Sequence, residues 1–429
     1  MFRYLTLLIF TLLFTVTTAA IDEFTQATPG KIAVVGMDYN IYSYDVAQSD
    51  LAPITTNANR TRRYQWPTWS PDGRLAYFCC DLRVTRDLSS MAYISDDGVS
   101  PGEIAYEGSN EAIIHAAWSP AQCDDGIACR ELALLINDVV RGGISIEMLT
   151  NNTEETRSRT IGVGSPFYYN WNPDGTRMIF HRNNDSIDIF DMANNDVVSS
   201  LREQSPGTYQ SPAWSPVDNR VLYGVAGESG TDLIVADDDD TQALVTGING
   251  FVSFLWSPDG RYIAYRSLQE NNIGSIFVVD AETGETITST ITDGVLAFFW
   301  SPDSRKLAFV SVNDRAGRNA KVQALARQHF VQDNERIEFV WSTLNITTGE
   351  AIRLSSFLPT YEMQYMLTYF DQFAPSHRIW SPDSRYLTYS TVVDLETQPR
   401  AVVIQLDTEN LQDPRTEIAS GVFSVWSFD

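Results

Sequence analysis

Lysine is almost missing from this chain: among 429 residues it occurs only at Lys31, Lys306 and Lys321. With 30 Lys plus Arg against 55 Asp plus Glu, the formal net charge is -25. Nucleic acid and anionic membrane surfaces reward clustered cations, so neither is expected as a partner. The acidity itself reads as a soluble, self-repelling surface. Long apolar runs are also scarce. Residues 1–20 carry Arg3, an apolar stretch through Val16 and a Thr-Ala-Ala ending at Ala20, the layout of a cleavable secretory signal peptide. No cysteine lies near Ala20 to take a lipid, and nothing later is apolar enough to serve as a transmembrane span. The expected location is therefore extracytoplasmic, secreted or periplasmic.

Catalytic signatures are lacking as well. There is no Gly-x-Ser-x-Gly elbow, no HExxH, no P-loop and no dinucleotide fingerprint, and no cofactor is expected. The four histidines, His115, His181, His329 and His377, are scattered, and a metal site would require them to converge. Four cysteines fit an oxidising compartment without forming a disulfide scaffold. Cys123 and Cys129, in AQCDDGIACR, are expected to clamp a lengthened turn as a local disulfide. Cys79 and Cys80 are adjacent on a strand, point to opposite faces and read as two independent thiols. An adjacent pair followed far away by Cys-x5-Cys is a poor match to zinc spacing.

What is present, many times over, is one phrase. WSPDGRLAYF begins at Trp69, and copies follow as WNPDGTRMIF from Trp171, WSPVDNRVLY from Trp214, WSPDGRYIAY from Trp256, WSPDSRKLAF from Trp300 and WSPDSRYLTY from Trp380. A looser copy sits at Trp118 and a truncated WSFD at Trp426. Ser, Pro, Asp and Gly fall on the four positions of a type I turn, with Pro setting φ at the second and Gly tolerating positive φ at the fourth. Trp ends the strand entering the turn and an apolar run starts the strand leaving it, so each copy predicts a β-hairpin. The Trp-to-Trp intervals are 49, 53, 43, 42, 44, 80 and 46 residues. Most match the roughly 40 to 50 residues of a four-stranded propeller blade.

The fold class expected is all-β: a single β-propeller over 21–429, with eight four-stranded blades and seven as the alternative. Trp426 stands three residues from the end and can supply one strand but no blade, whereas KIAVVGMDYNIYSYDV at 31–46 reads as later strands lacking a first. Pairing the N- and C-terminal strands completes one blade and closes the ring. The long interval from Trp300 to Trp380 does not need another blade at Trp341. IEFVWSTLNITTGEAI matches SIFVVDAETGETI, so Trp341 belongs to a third strand. The surplus is an insertion at about 313–335 in blade seven and a long connection at about 358–376.

These repeats resemble the WD40-like (PD40) propeller repeats of TolB-type proteins, and the propeller of the dipeptidyl-peptidase IV group without its hydrolase domain. The resemblance implies a propeller and little about function. Propeller strands begin by Lys31, leaving no room for the N-terminal α/β domain of TolB, so a Tol-Pal role is not expected.

Two segments stand out as candidate binding elements. The insertion carries Arg318, Lys321 and Arg327, with Val322, Leu325 and His329 at helical spacing, and predicts a short helix. The connection YEMQYMLTYFDQFAPSHRIW places Tyr369, Asp371, Gln372, His377 and Arg378 among aromatics, close to the axis, suiting either ligand contact or an apolar plug. The run Asp237 to Asp240 reads as a solvated turn. The function expected is a non-catalytic recognition module or scaffold with a protein, peptide or glycan partner. The alternative is a propeller enzyme acting on carbohydrate, with metal-assisted chemistry at the axis.

Overall fold

The computed structural model describes residues 30–79, 89–121, 131–138, 142–152, 155–200, 205–269, 272–290, 294–312 and 338–428. Residues 1–20, where a signal peptide is expected, Cys80, Cys123, Cys129 and the insertion with Arg318, Lys321, Arg327 and His329 lie outside the described residues.

The copies that read Ser-Pro-Asp-Gly or Ser-Pro-Asp-Ser fold as their turn chemistry dictates. The backbone N–H of the fourth turn residue donates to the Ser carbonyl, Gly73 to Ser70 at 3.1 Å, Gly260 to Ser257 at 2.9 Å and Ser304 to Ser301 at 2.9 Å. The Ser hydroxyl then locks the exit: Ser257 Oγ donates to Asp259 Oδ1 at 2.6 Å and accepts from Tyr262 N at 2.9 Å. Strands follow on both sides, as in Phe251–Trp256 paired antiparallel with Tyr262–Gln269. The strand leaving each turn is buried on both faces, Leu75–Cys79 throughout its length, because neighbouring sheets cover it from either side. The last strand of each sheet is exposed, Asp196–Ser200 being typical.

The tryptophans join one sheet to the next. Indole N–H groups donate to the backbone of the preceding inner strand: Trp118 to Thr68 O at 3.1 Å, Trp171 to Ala117 O at 3.3 Å, Trp256 to Ala213 O at 3.4 Å, Trp300 to Leu255 O at 3.3 Å and Trp380 to Phe299 O at 3.0 Å. Trp214 N donates to Asn170 Oδ1 at 3.0 Å, and Trp426 N to Arg378 O at 2.8 Å. The Trp66 and Phe423 rings, 5.1 Å apart, complete the circle. The arginine of the phrase serves the same seam, Arg74 lying over Trp118 and Arg220 over Trp256. Trp341 sits, fully buried, in the third strand of its sheet, Phe339–Asn345.

The expectation of eight four-stranded blades is corrected: the described strands form seven sheets, six of four strands and one of six. The reason is Arg415–Trp426, a single continuous strand of 12 residues. Its first half pairs with Arg400–Asp407 and its second with Lys31–Gly36, so the segments at the two chain ends merge into one sheet. The chain ends meet there, Lys31 N donating to Ser427 Oγ at 2.8 Å.

Candidate functional site

The inner strand of the sheet containing Tyr386–Val393 is interrupted. Leu358 O accepts from Val392 N and Ile379 O accepts from Thr388 N, both at 2.8 Å, and the chain between them leaves the sheet for the propeller axis. There it forms two short helices, α1 (Tyr361–Thr368) and α2 (Phe370–Phe373). Thr360 caps α1, accepting from Met363 N at 3.2 Å while donating to Val422 O at 2.6 Å. Met363, Met366, Leu367, Phe370 and Phe373 are buried against the surrounding inner strands. The helices are thus an internal plug.

Every inner strand contributes to holding it. A β-bulge in Tyr64–Trp69 puts Trp66 at φ 51°, with its ring 5.3 Å from Tyr365 and 5.4 Å from Phe373. Phe298 lies 4.8 Å from Phe370. The Gln372 amide imitates a strand neighbour, accepting from Tyr169 N and donating to Tyr169 O, both at 3.0 Å. Asp371, buried, lies 2.9 Å from the Gln210 side-chain amide, whose nitrogen donates to it once the amide is assigned in the orientation that satisfies both groups. Burial pushes its carboxyl up to about 6, partly offset by the Arg266 cation and by backbone N–H donors. Arg266 is buried too, drawn down to about 10 by desolvation, with its guanidinium over the Phe370 ring.

Two of the four histidines converge here. His115 and His377 have ring centroids 5.6 Å apart, and both face Ser376: His115 Nε2 at 3.0 Å and His377 Nδ1 at 2.7 Å from its hydroxyl. A hydroxyl has one hydrogen, so at least one of these imidazole nitrogens carries a proton toward Ser376. Burial drives His115 down to about 3 and His377 well below the ordinary imidazole value, which makes both neutral near pH 7. Thr68 Oγ1 fixes the same residue by donating to Ser376 O at 3.0 Å. Among the described residues no group of three or more His, Cys, Asp or Glu side chains is placed to hold a metal ion. His181 instead stacks on Tyr209 at 4.3 Å and contacts Gln210 O at 2.9 Å. The Asp237 to Asp240 run is an exposed turn, closed by Asp237 Oδ1 accepting from Asp239 N and Asp240 N.

Above the plug, where the Trp-Ser-Pro turns gather, lies a funnel of about 540 Å³. Its rim is made of turn prolines, Pro71, Pro120, Pro173, Pro216, Pro258 and Pro302, and its wall of the repeat tryptophans from Trp118 to Trp380. Gln372, Ala374 and Pro375 of the plug segment contribute to its floor. Arg378 is its one charged lining residue among the described residues, and no carboxylate lines it. The Arg378 guanidinium lies 3.7 Å from the centroid of the Phe428 ring, without an ion-pair partner among the described residues. Burial lowers it to about 10, which leaves it a cation at neutral pH.

Of the residues singled out in the sequence, then, Asp371, Gln372 and His377 sit within the plug and Arg378 faces the funnel. Tyr369 caps the junction of α1 and α2, half-buried beside Tyr365 at 5.0 Å. Sequence reasoning named Ser376 beside His377 and counted His115 among the histidines that could converge, but it missed Trp66. A usable signal existed: His115, His377, Trp66 and Phe423 all stand three places before their repeat tryptophans, which puts them at one level of the inner strands.

No helix among the described residues is long and apolar enough to cross a membrane. No protein-family model matches the chain, and no curated protein matches it in sequence. Among solved structures, Saccharomyces cerevisiae Sqt1 is similar at 12% identity and TM-score 0.51, covering 93% of this chain and 94% of that one. A eukaryotic initiation factor is similar at 10% identity and TM-score 0.51, covering 92% and 98%. TolB from Acinetobacter baumannii is similar at 13% identity over 85% of this chain and 81% of that one, with a TM-score of 0.37 that supports no shared role. What the likenesses establish is the fold: a β-propeller.

Proposed function

We propose that this propeller is an exported, non-catalytic recognition module that takes a polypeptide partner at the funnel end of its ring. The observation that carries the reading is the blind funnel of about 540 Å³, floored by the chain's own plug. A concave, mainly apolar site with a few fixed polar groups is the usual form of a binding site. Its floor is held by Gln372, Ser376 and Thr68 in buried hydrogen bonds, so little ordering is left to cost affinity when a partner docks. The layout of residues 1–20 supports export.

The test uses a photo-crosslinking residue at Val217, exposed beside the rim proline Pro216, and at Val198, exposed on an outermost strand. In the producing cells, position 217 is expected to give a discrete protein adduct and position 198 none. Equal adducts at both positions, or none at 217, would overturn the reading. N-terminal sequencing of exported material is expected to begin at Ile21; protein retained in the cytoplasm with Met1 intact contradicts export.

A further inference from the structure

The funnel is an electrostatic exception. In a chain of net charge -25, its described lining holds no Asp or Glu and a single cation, Arg378. That cation is largely removed from water, has no carboxylate partner among the described residues, and is stacked against Phe428, which fixes the guanidinium plane. A stacked guanidinium keeps its N–H donors at its edge, where a planar carboxylate can meet two of them at once. Around it stand Trp and Pro side chains, suited to burying one apolar residue. The floor is closed by Gln372, Ala374 and Pro375, so a polypeptide cannot pass through and must end inside.

We propose that the funnel captures the carboxyl terminus of a partner polypeptide: its last side chain, apolar or aromatic, fills the Trp–Pro wall, and its α-carboxylate pairs with Arg378. This rests on the recognition reading above and names the part of the partner that is recognised. An internal Asp or Glu would bring chain on both sides of the charge, which a blind cavity does not accommodate. The acidic exterior would in turn repel carboxylates everywhere except at this point.

The experiment uses the full chain and fluorescein-labelled hexapeptides of Gly, Ser and Ala that end in Phe, Trp or Leu, each as the free acid and as the carboxamide, read by fluorescence anisotropy. The acids are expected to bind, and the amides to bind about tenfold or more weakly, as for loss of a hydrogen-bonded charge. Arg378→Gln should erase the difference between acid and amide. Because Arg378→Gln also removes a stacking contact, Pro302→Glu serves as a second variant: it sets a negative charge on a rim turn, leaves Arg378 in place, and should weaken the acids more than the amides. Equal binding of acid and amide, acid binding unchanged in both variants, or no peptide binding at all would overturn the inference. If the Val217 adduct persists in any of those cases, the recognition role stands and only the carboxyl-terminal specificity falls; if the adduct is missing too, both fall.

Discussion

At the scale of single residues, the repeat tryptophans divide into two groups by what their indole N–H meets. Five donate across to the preceding inner strand, Trp380 at 3.0 Å to Phe299 O being the shortest. Trp69, Trp214 and Trp426 are equally buried, yet their Nε1 atoms meet no acceptor. Replacement by Phe removes similar apolar volume in both groups, so the difference isolates the cross-sheet bond. Trp380→Phe should therefore destabilise by about 1 kcal/mol more than Trp69→Phe, the net contribution of one buried hydrogen bond. Urea unfolding of the two variants checks this, and equal losses would show that the indole seam is packing alone. The fourth turn position shows a comparable economy. Gly260 at φ 69° sits so close to the preceding turn that an added Cβ would lie 2.3 Å from Val217 Cγ2. Ser304 takes the same place at φ 61°, and its hydroxyl accepts from Asp259 N at 3.0 Å, tying its turn to the one before.

At the scale of elements, the plug is the segment with the most at stake in its ionisation. His115 and His377 are neutral in the fold, with imidazole values lowered by burial, whereas the unfolded chain titrates near 6.5. A base whose folded value is depressed contributes stability above the unfolded value and loses it as pH falls through that value. Each histidine should then remove about 1.4 kcal/mol per pH unit below about 6.5. Asp371 acts with the opposite sign: its carboxyl, raised to about 6, takes up a proton in the folded state first, adding stability between about 6 and 3.8. Two histidines outweigh one carboxyl, so chemical unfolding at pH 5 should show a lower stability than at pH 7, and His115→Phe should flatten that dependence. A profile already flat in the parent chain would mean the pair is not buried neutral. The sequence showed this element only in part. Turns were legible because Pro, Asp and Gly at fixed places have few other uses, and Trp341 found its strand by local likeness. The plug offered no such punctuation. Its helices are only 8 and 4 residues long, too short for a period to repeat: α1 buries Met363, Met366 and Leu367 within barely two turns and leaves Tyr361 and Thr368 exposed. That Asp371, Gln372 and His377 brace the plug while Arg378 faces the funnel depends on where the interrupted strand re-forms at Ile379, which no local pattern encodes.

At the scale of the whole molecule, stability depends on how a ring disposes of its last edges. The sequence implied that the chain ends meet, and Ile32 pairs with Trp426 and Val35 with Phe423 as a result. It could not show that Arg415–Trp426 runs unbroken through both pairings, because that continuity is settled by neighbours far away in sequence: Val403 opposite Ala419 on one side, Ala33 opposite Val425 on the other. One strand therefore seals two segments, and its second half also carries Phe423 against the plug-binding Trp66. Ending the chain at Ser420 would leave Lys31–Gly36 as an open inner edge and remove the buried Phe423, Val425 and Trp426. We expect such a chain to lose its cooperative thermal transition and to aggregate. The control is a circular permutant that joins residue 428 to residue 30 and opens in the exposed connection at 59–61; it keeps every strand and should unfold cooperatively. A truncated chain that melts like its parent would show that the shared strand decorates the ring without closing it.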